Sequence, residues 1–210
     1  MVERVTTGIK GLDKLIEGGF FKNSVNLITG KTGTGKTAFC ASFLYEGAIK
    51  GEPGVYVTTE EREEDIKEDI KAMFNWDLEK LEKKGLLVFL SLKPIFPRRI
   101  TPSTEDTSII KMYVFDLCEK LEKMVKKMRA KRLVIDSISI IEMFIKDDYI
   151  RRIAITELTN KLKEIGVTSI ITGTIPEGSE KLTIGGIAEF LVDSVIKLEF
   201  VPVAEEFKRT

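Results

Sequence analysis

A short stretch of this chain carries residues whose types and spacing suit phosphate binding. From Gly30 to Thr37 the sequence follows G-x-x-x-x-G-K-T, with Gly35 and Lys36 completing the pattern. In this pattern the glycines let backbone N–H groups turn toward a phosphate, the lysine adds positive charge, and the threonine hydroxyl can bind Mg²⁺. We predict that a nucleotide binds here, at Gly30, Thr32, Gly33, Thr34, Gly35, Lys36, Thr37 and Ala38. The alternative is a glycine-rich turn without a ligand.

The elements on either side of this loop favour phosphate binding. Residues 25–28 form a short, mostly apolar run typical of a strand, and residues 37–50 carry apolar side chains at helical spacing. The motif requires the order strand, loop and helix, because this order places the helix N-terminus and its partial positive charge beneath the phosphates.

Carboxylates follow two further predicted strands. Asp136 comes directly after the aliphatic residues 133–135, and Glu60 and Glu61 follow the predicted strand 55–59. Ligands of an open parallel sheet bind at the carboxyl ends of its strands, so we expect these groups to share one edge with the phosphate loop. Asp136 and Thr37 are predicted to hold Mg²⁺. The predicted catalytic residues are Glu60 or Glu61, which would orient or deprotonate the attacking water, and Lys36.

Each of these assignments has a structural alternative. Asp136 could cap a turn, and both glutamates could begin the helix predicted over residues 62–74, where acidic side chains favour the first turn. Ser137 could help hold metal-bound waters or act as a cap. Thr172 and Thr174 could sense the γ-phosphate, although the β-propensity of threonine explains them nearly as well.

The composition limits the class of protein. A length of 210 residues fits one α/β domain with a substantial core. The 33 basic and 33 acidic residues cancel, so no global field draws the chain to nucleic acid or to an anionic membrane. There is no membrane-length apolar run and no signal peptide, so we expect a cytoplasmic protein. The sequence has no histidine, which excludes histidine bases and histidine-ligated zinc.

Two further features concern the core and the source. Cys40 and Cys118 lie on the apolar stripes of predicted helices, which indicates small core residues rather than a disulfide or a metal site. Charged residues make up 31%, with lysine and glutamate prominent, a bias seen in heat-adapted proteins.

Strands and helices alternate along the whole chain. Strands are predicted at 25–28, 55–59, 86–90, 133–136, 167–172 and 195–200, with helical patterns between them. This alternation favours a mostly parallel twisted sheet flanked by helices on both faces. Residues 93–108, with three prolines and the pair Arg98-Arg99, are predicted to form an exposed loop or lid. The lysine-rich run 120–132 is interpreted as a solvated helix face.

Several stretches together resemble the KaiC-like branch of the RecA-type P-loop ATPase superfamily. The resemblance covers nearly the whole chain and is carried by residues 7–20, the phosphate loop, Tyr56 to Glu61, Trp76 to Leu86, Asp136-Ser137 and 185–198. It implies a single RecA-type domain over residues 1–210, ATP and Mg²⁺ as cofactors, and a base at Glu60 or Glu61. It also implies a homo-oligomer, commonly a hexameric ring with ATP between neighbouring subunits.

The resemblance weakens at the end of the sequence. Family members continue into a strand whose Lys-x-Arg element reaches the ATP of a neighbour, and residues 207–210 resemble the approach to that strand. A positive charge supplied in trans can be worth roughly 10³ to 10⁵ in rate. We therefore expect slow hydrolysis and a weakened ring, unless another basic residue such as Lys181 or Arg98 substitutes.

Three functions remain open at this stage. The first is an ATP-binding, slowly hydrolysing protein whose nucleotide state controls assembly or an unidentified partner. The second is a DNA-binding relative of the RecA and RadA recombination proteins, which would use predicted loops at 139–148 and 176–186. Each loop has one lysine, Lys146 or Lys181, which argues against strong DNA binding because several phosphates must be neutralised. The third is a nucleotide-regulated scaffold without significant hydrolysis.

Overall fold

The computed structural model describes residues 2–93, 104–203 and 206–209.

The N-terminal segment folds against the first helix of the core. Strands β1 (Arg4–Val5) and β2 (Phe20–Phe21) pair in antiparallel fashion and enclose the short helix α1 (Leu12–Leu15). The guanidinium of Arg132 lies inside the protein and donates hydrogen bonds to the carbonyl oxygens of Thr6 and Phe43, at 2.7 and 2.8 Å. This buried arginine therefore ties the N-terminal segment to the core.

Six parallel strands form the central sheet, as predicted. They are β3 (Val25–Gly30), β4 (Gly54–Thr58), β5 (Leu87–Ser91), β6 (Arg132–Asp136), β7 (Thr168–Thr174) and β8 (Ser194–Leu198). Their order across the sheet is β5-β4-β6-β7-β3-β8. One face carries α2 (Lys36–Ile49), α3 (Glu63–Phe74) and α4 (Leu78–Lys83), and the other carries α5 (Thr104–Met128), α6 (Ser139–Phe144) and α7 (Asp148–Ile165).

The alternation of side chains along the strands produces two cores. On β6, Val134 packs in the core beneath α2 and α3, whereas Leu133 and Ile135 pack in the core beneath α5 and α7. Because side chains alternate with a period of two, the last residue, Asp136, projects on the same face as Val134. The sheet therefore aims this carboxylate toward the helix that follows the phosphate loop. The two cysteines are buried and unpaired, one in each core, as predicted.

Several predictions of local structure need correction. The six strands were predicted within two residues at each end. The sequence did not reveal β1, β2, α4, α6 or the antiparallel pair β9 (Phe200–Val203) and β10 (Glu206–Arg209), because strands of two to four residues and helices of six residues are too short to show their periods. The loop predicted at 139–148 was wrong for its first six residues, which form α6 and bury Ile141 and Glu142.

The stretch predicted as a loop or lid at 93–108 is described only in part. Residues 94–103, including Arg98, Arg99 and the three prolines, lie outside the described residues. Residues 104–108 belong to α5, so the loop prediction was wrong there. In the part of the chain that the structure describes, no helix is both long enough and apolar enough to cross a bilayer.

The lysine-rich face of α5 lies in solvent and carries ion pairs between residues four positions apart. Glu122 pairs with Lys126 at 2.5 Å and also with Lys161 of α7 at 2.6 Å, so it links the two helices. The hydrogen bonds from these two lysines lower the pKa of Glu122 to about 2.

We expect Glu122→Gln to destabilise the protein in a pH-dependent way. The folded pKa lies below the ordinary value of 4.5, so the stabilisation is fully present above that pH and is lost as the pH falls toward about 2. In urea unfolding, the variant should have a lower free energy of unfolding than the wild type at pH 6 and a smaller deficit at pH 3. Glu119→Gln is the matched control, because Glu119 pairs with Lys123 at 3.4 Å on the same helix. An equal deficit of the Glu122 variant at both pH values would contradict this account.

Candidate functional site

A cleft of about 490 Å³ opens where β3, β4 and β6 end. The residues that line it are Thr32, Gly33, Gly35, Lys36, Thr37, Ala38, Glu60, Glu61, Asp69, Ala72, Met73, Asp136, Ser137 and Thr174. The residues expected to share one edge of the sheet therefore do share one cleft, although they come from distant parts of the chain. Of the predicted phosphate-binding residues, Gly30 and Thr34 are the two that do not line it.

Glycines shape the loop between β3 and α2. Gly33 and Gly35 have φ angles of 84° and 101°, which side chains other than glycine rarely adopt. Gly30 lies under the loop, where an added Cβ would come within 2.6 Å of the carbonyl oxygen of Leu198. Gly35 immediately precedes α2, so the first N–H groups of that helix, which have no partner within it, lie at the cleft. These are the features of an anion site at a helix N-terminus.

The ammonium group of Lys36 lies inside the loop. Its Nζ donates hydrogen bonds to the carbonyl oxygens of Gly30 at 2.9 Å and Lys31 at 3.0 Å. Burial lowers the pKa of Lys36, while the negative charges of Asp136 and Glu60 oppose that shift. An anion bound in the cleft would favour the charged form of this lysine and could replace the carbonyl oxygens as its partner.

Three hydroxyl groups hold the carboxylate of Asp136. Tyr56 and Thr37 donate to Oδ2 at 2.5 and 3.2 Å, and Thr172 donates to Oδ1 at 2.6 Å. The peptide bond from Asp136 to Ser137 is cis. The alternative that Asp136 acts as a cap is wrong, since its carboxylate bonds to side-chain hydroxyls. Thr172 contacts this carboxylate and does not line the cleft, whereas Thr174 does.

The donor set of Thr37 and Asp136 fits a magnesium ion. Mg²⁺ prefers oxygen ligands and is usually held by one or two protein groups, together with waters and phosphate oxygens. Among the described residues there is no group of three or more acidic, cysteine or histidine side chains that could form a closed metal site. The hydroxyl of Thr37, at the end of the phosphate loop, and the carboxylate of Asp136, at the end of β6, therefore suit an ion that arrives with a phosphate ligand.

The two glutamates occupy different environments. Glu60 accepts a hydrogen bond from the hydroxyl of Ser137 at 2.5 Å, which ties it to the residue after Asp136. Ser137 Oγ also accepts a hydrogen bond from the N–H of Ser139 at 3.2 Å. This serine therefore links Glu60 to the end of β6 and also caps the first residue of α6. Burial, followed by the charge of Asp136, raises the pKa of Glu61. The alternative that both glutamates begin a helix is wrong, because α3 begins at Glu63.

Sequence reasoning missed some of the residues at the site. Asp69, Ala72 and Met73 form one wall of the cleft and lie at helical spacing on α3, a pattern that was present in the sequence. Tyr56 was noted only as part of a motif, because its contact with Asp136 depends on the pairing of two strands. Thr34 instead lines a second cavity of about 700 Å³ on the other side of the loop, together with Lys31 and Phe200.

Comparisons with known proteins agree over the full chain. The family model described as "ATPase: KaiC" matches residues 5–210. A UPF0273 protein of Pyrococcus furiosus is 33% identical over 100% of this chain and 83% of its own length. The circadian clock oscillator protein KaiC of Synechococcus elongatus is 33% identical over 100% of this chain but only 39% of its own length. Thus the chain spans less than half of that clock protein.

A solved structure supports the same relationship. The crystal structure of a KaiC-like protein from Pyrococcus horikoshii has a TM-score of 0.82 and 40% sequence identity, covering 100% of this chain and 86% of the other. The predicted fold class, a mostly parallel sheet of the RecA type flanked by helices, is therefore confirmed.

Proposed function

Because the chain belongs to the KaiC family of ATPases, we propose that it binds ATP with Mg²⁺ in this cleft and hydrolyses it slowly. The observation that carries the proposal is the meeting of Lys36, Thr37, Glu60 and Asp136 in one cleft. We further propose that nucleotide state controls assembly of the chain, or its contact with a partner.

The phosphates would lie on the loop from Gly30 to Ala38. Lys36 would exchange its two backbone carbonyl partners for phosphate oxygens, and the unpaired N–H groups at the start of α2 would bind the same anion. Asp69, Ala72 and Met73 line the same cleft, and the nucleoside would bind against this wall. Thr37 and Asp136 would hold Mg²⁺, which neutralises charge on the phosphate oxygens.

The glutamates would act on the attacking water. Glu60 is held next to Asp136 by Ser137, so it can orient a water molecule toward the terminal phosphate. Burial and the charge of Asp136 raise the pKa of Glu61, so its carboxylate would be a better proton acceptor than an ordinary glutamate. Glu61 must be ionised to accept a proton, so turnover should fall as the pH drops through its raised pKa.

The proposed rate is slow because of the charge balance in the cleft. Among the described residues that line it, Lys36 is the single cation. Phosphoryl transfer develops charge on the terminal phosphate, and a further positive charge can raise the rate by roughly 10³ to 10⁵. A cation brought by a second copy of the chain, as in a ring, or by a partner would therefore accelerate hydrolysis and link it to assembly.

Binding and turnover test this proposal directly. Trp76, the one tryptophan of the chain, stacks between Tyr45 and Phe74, with its ring centroid 3.8 Å from that of Tyr45 and 4.1 Å from that of Phe74. Phe74 follows Met73 of the cleft wall, so the fluorescence of Trp76 should respond when ATP binds. AMP should bind much more weakly, because it lacks the phosphates that the loop would hold. Hydrolysis should require Mg²⁺ and should stay below the usual enzymatic range of about 1 to 10³ s⁻¹. Equal binding of AMP and ATP would contradict the proposed site.

A further inference from the structure

We propose that Tyr56 is a positioning residue: its buried hydroxyl, with that of Thr172 on the opposite side, fixes the carboxylate of Asp136 for magnesium binding. This inference rests on the proposed function of the cleft. It goes further by assigning a role in metal binding to a side chain that does not line the cleft.

The pairing of strands brings the phenol of Tyr56 to Asp136. β4 and β6 are parallel neighbours, and their register places Thr58 beside Asp136 and Tyr56 beside Val134. Tyr56 therefore starts two residues before Asp136 on the same face, a distance of about 6.6 Å along a strand. Its long side chain spans that distance and places the hydroxyl 2.5 Å from Oδ2.

The core holds the phenol ring in one position. The side chain of Tyr56 is fully buried, and its ring stacks on that of Phe89 with centroids 5.4 Å apart. A phenylalanine at this position would fill the same space without needing a hydrogen-bond partner, whereas a buried hydroxyl is costly unless it is paired. In this contact the phenol hydroxyl of Tyr56 donates and the carboxylate of Asp136 accepts.

The opposite side of the carboxylate is fixed in the same way. Thr172 comes from β7, the other neighbour of β6, and its hydroxyl donates to Oδ1 at 2.6 Å. A terminal carboxylate torsion is otherwise broad. Because a side chain from a neighbouring strand donates to each oxygen, Tyr56 to Oδ2 and Thr172 to Oδ1, Asp136 keeps Oδ2 within reach of the hydroxyl of Thr37, at 3.2 Å. When the proton of Thr37 points to Asp136, its oxygen lone pairs remain free for a metal ion.

Removing the hydroxyl of Tyr56 should therefore weaken magnesium binding selectively. We expect Tyr56→Phe to raise the Mg²⁺ concentration for half-maximal ATP hydrolysis by about 10- to 100-fold, the usual effect of losing a group that orients a metal ligand. ATP binding in EDTA, measured by calorimetry, should be unchanged. At saturating Mg²⁺ the kcat should return toward the wild-type value, because an excess of metal compensates for weaker binding but would not repair a damaged core.

Two further substitutions make the test specific. Tyr45→Phe removes a hydroxyl from a tyrosine outside the cleft and should leave the magnesium midpoint unchanged. Thr172→Val removes the opposite donor and should raise the midpoint, whereas Thr172→Ser retains a hydroxyl and should preserve it. This pair keeps the inference testable even if the Tyr56 variant folds poorly.

The outcomes separate this inference from the proposed function. The positioning role alone would be overturned if the wild type hydrolyses ATP with Mg²⁺ and both Tyr56→Phe and Thr172→Val have the wild-type magnesium midpoint. A wild type that neither binds nor hydrolyses ATP at any Mg²⁺ concentration would overturn both.

Discussion

Lys36→Ala is expected to abolish ATP binding at concentrations that saturate the wild type. The ammonium group of Lys36 is the single cation among the described residues of the cleft, and it already lies where two carbonyl oxygens of the loop converge. Hydrogen bonds to charged groups are worth about 1.5–3 kcal/mol each, so losing two of them corresponds to a loss of affinity of about 10³-fold. Calorimetric titration with ATP measures the effect, and the fluorescence of Trp76 provides a second readout.

A neighbouring lysine provides the matched control for this experiment. Lys31→Ala removes the same charge from the same loop, but Lys31 lines the second cavity and not the cleft. ATP affinity should change little in this variant, apart from a weak long-range effect that added salt screens. Equal losses in the two variants would mean that only the general charge of the loop matters. Unchanged binding in Lys36→Ala would show that the phosphates bind elsewhere.

The phosphate loop and the sheet were predictable because their signals are local or follow one general rule. The loop pattern fixes both the turn and the first residues of α2 within eight positions, from Gly30 to Thr37. Apolar runs identified the strands of the sheet. The rule that ligands collect at the carboxyl ends of parallel strands then placed Asp136 beside Thr37, although 99 positions separate them in the chain.

The details of the site were not predictable because they depend on register and on side-chain torsions. Nothing near Tyr56 in the sequence indicates that β4 and β6 pair so that its hydroxyl reaches Asp136. The hydrogen bond from Ser137 to Glu60 likewise joins the ends of two strands that only the folded sheet brings together. Thr172 was considered for contact with phosphate; it does not line the cleft, and its hydroxyl donates to the carboxylate of Asp136.

Glu60→Gln is expected to keep ATP binding and to lose most turnover. Glutamine has nearly the same shape, and its amide oxygen can still accept the hydrogen bond from Ser137, so the position of the side chain should be preserved. The charge and basicity that act on the water are lost, which typically costs about 10² to 10⁴ in rate. Glu61→Gln should likewise retain binding and slow hydrolysis. Phosphate release under saturating ATP and Mg²⁺ measures both.

Glu64→Gln is the control for these two substitutions. Glu64 lies in the first turn of α3, four residues after Glu60, and does not line the cleft. The same loss of one negative charge there should leave turnover unchanged, which separates a direct role from a change in the local field. Because hydrolysis needs an ionised carboxylate, the wild-type rate should fall with decreasing pH, and the raised pKa of Glu61 places part of this fall above the usual range of a glutamate. If both glutamine variants hydrolyse ATP as fast as the wild type, neither glutamate acts on the water, and the catalytic assignment fails even if ATP binds in the cleft.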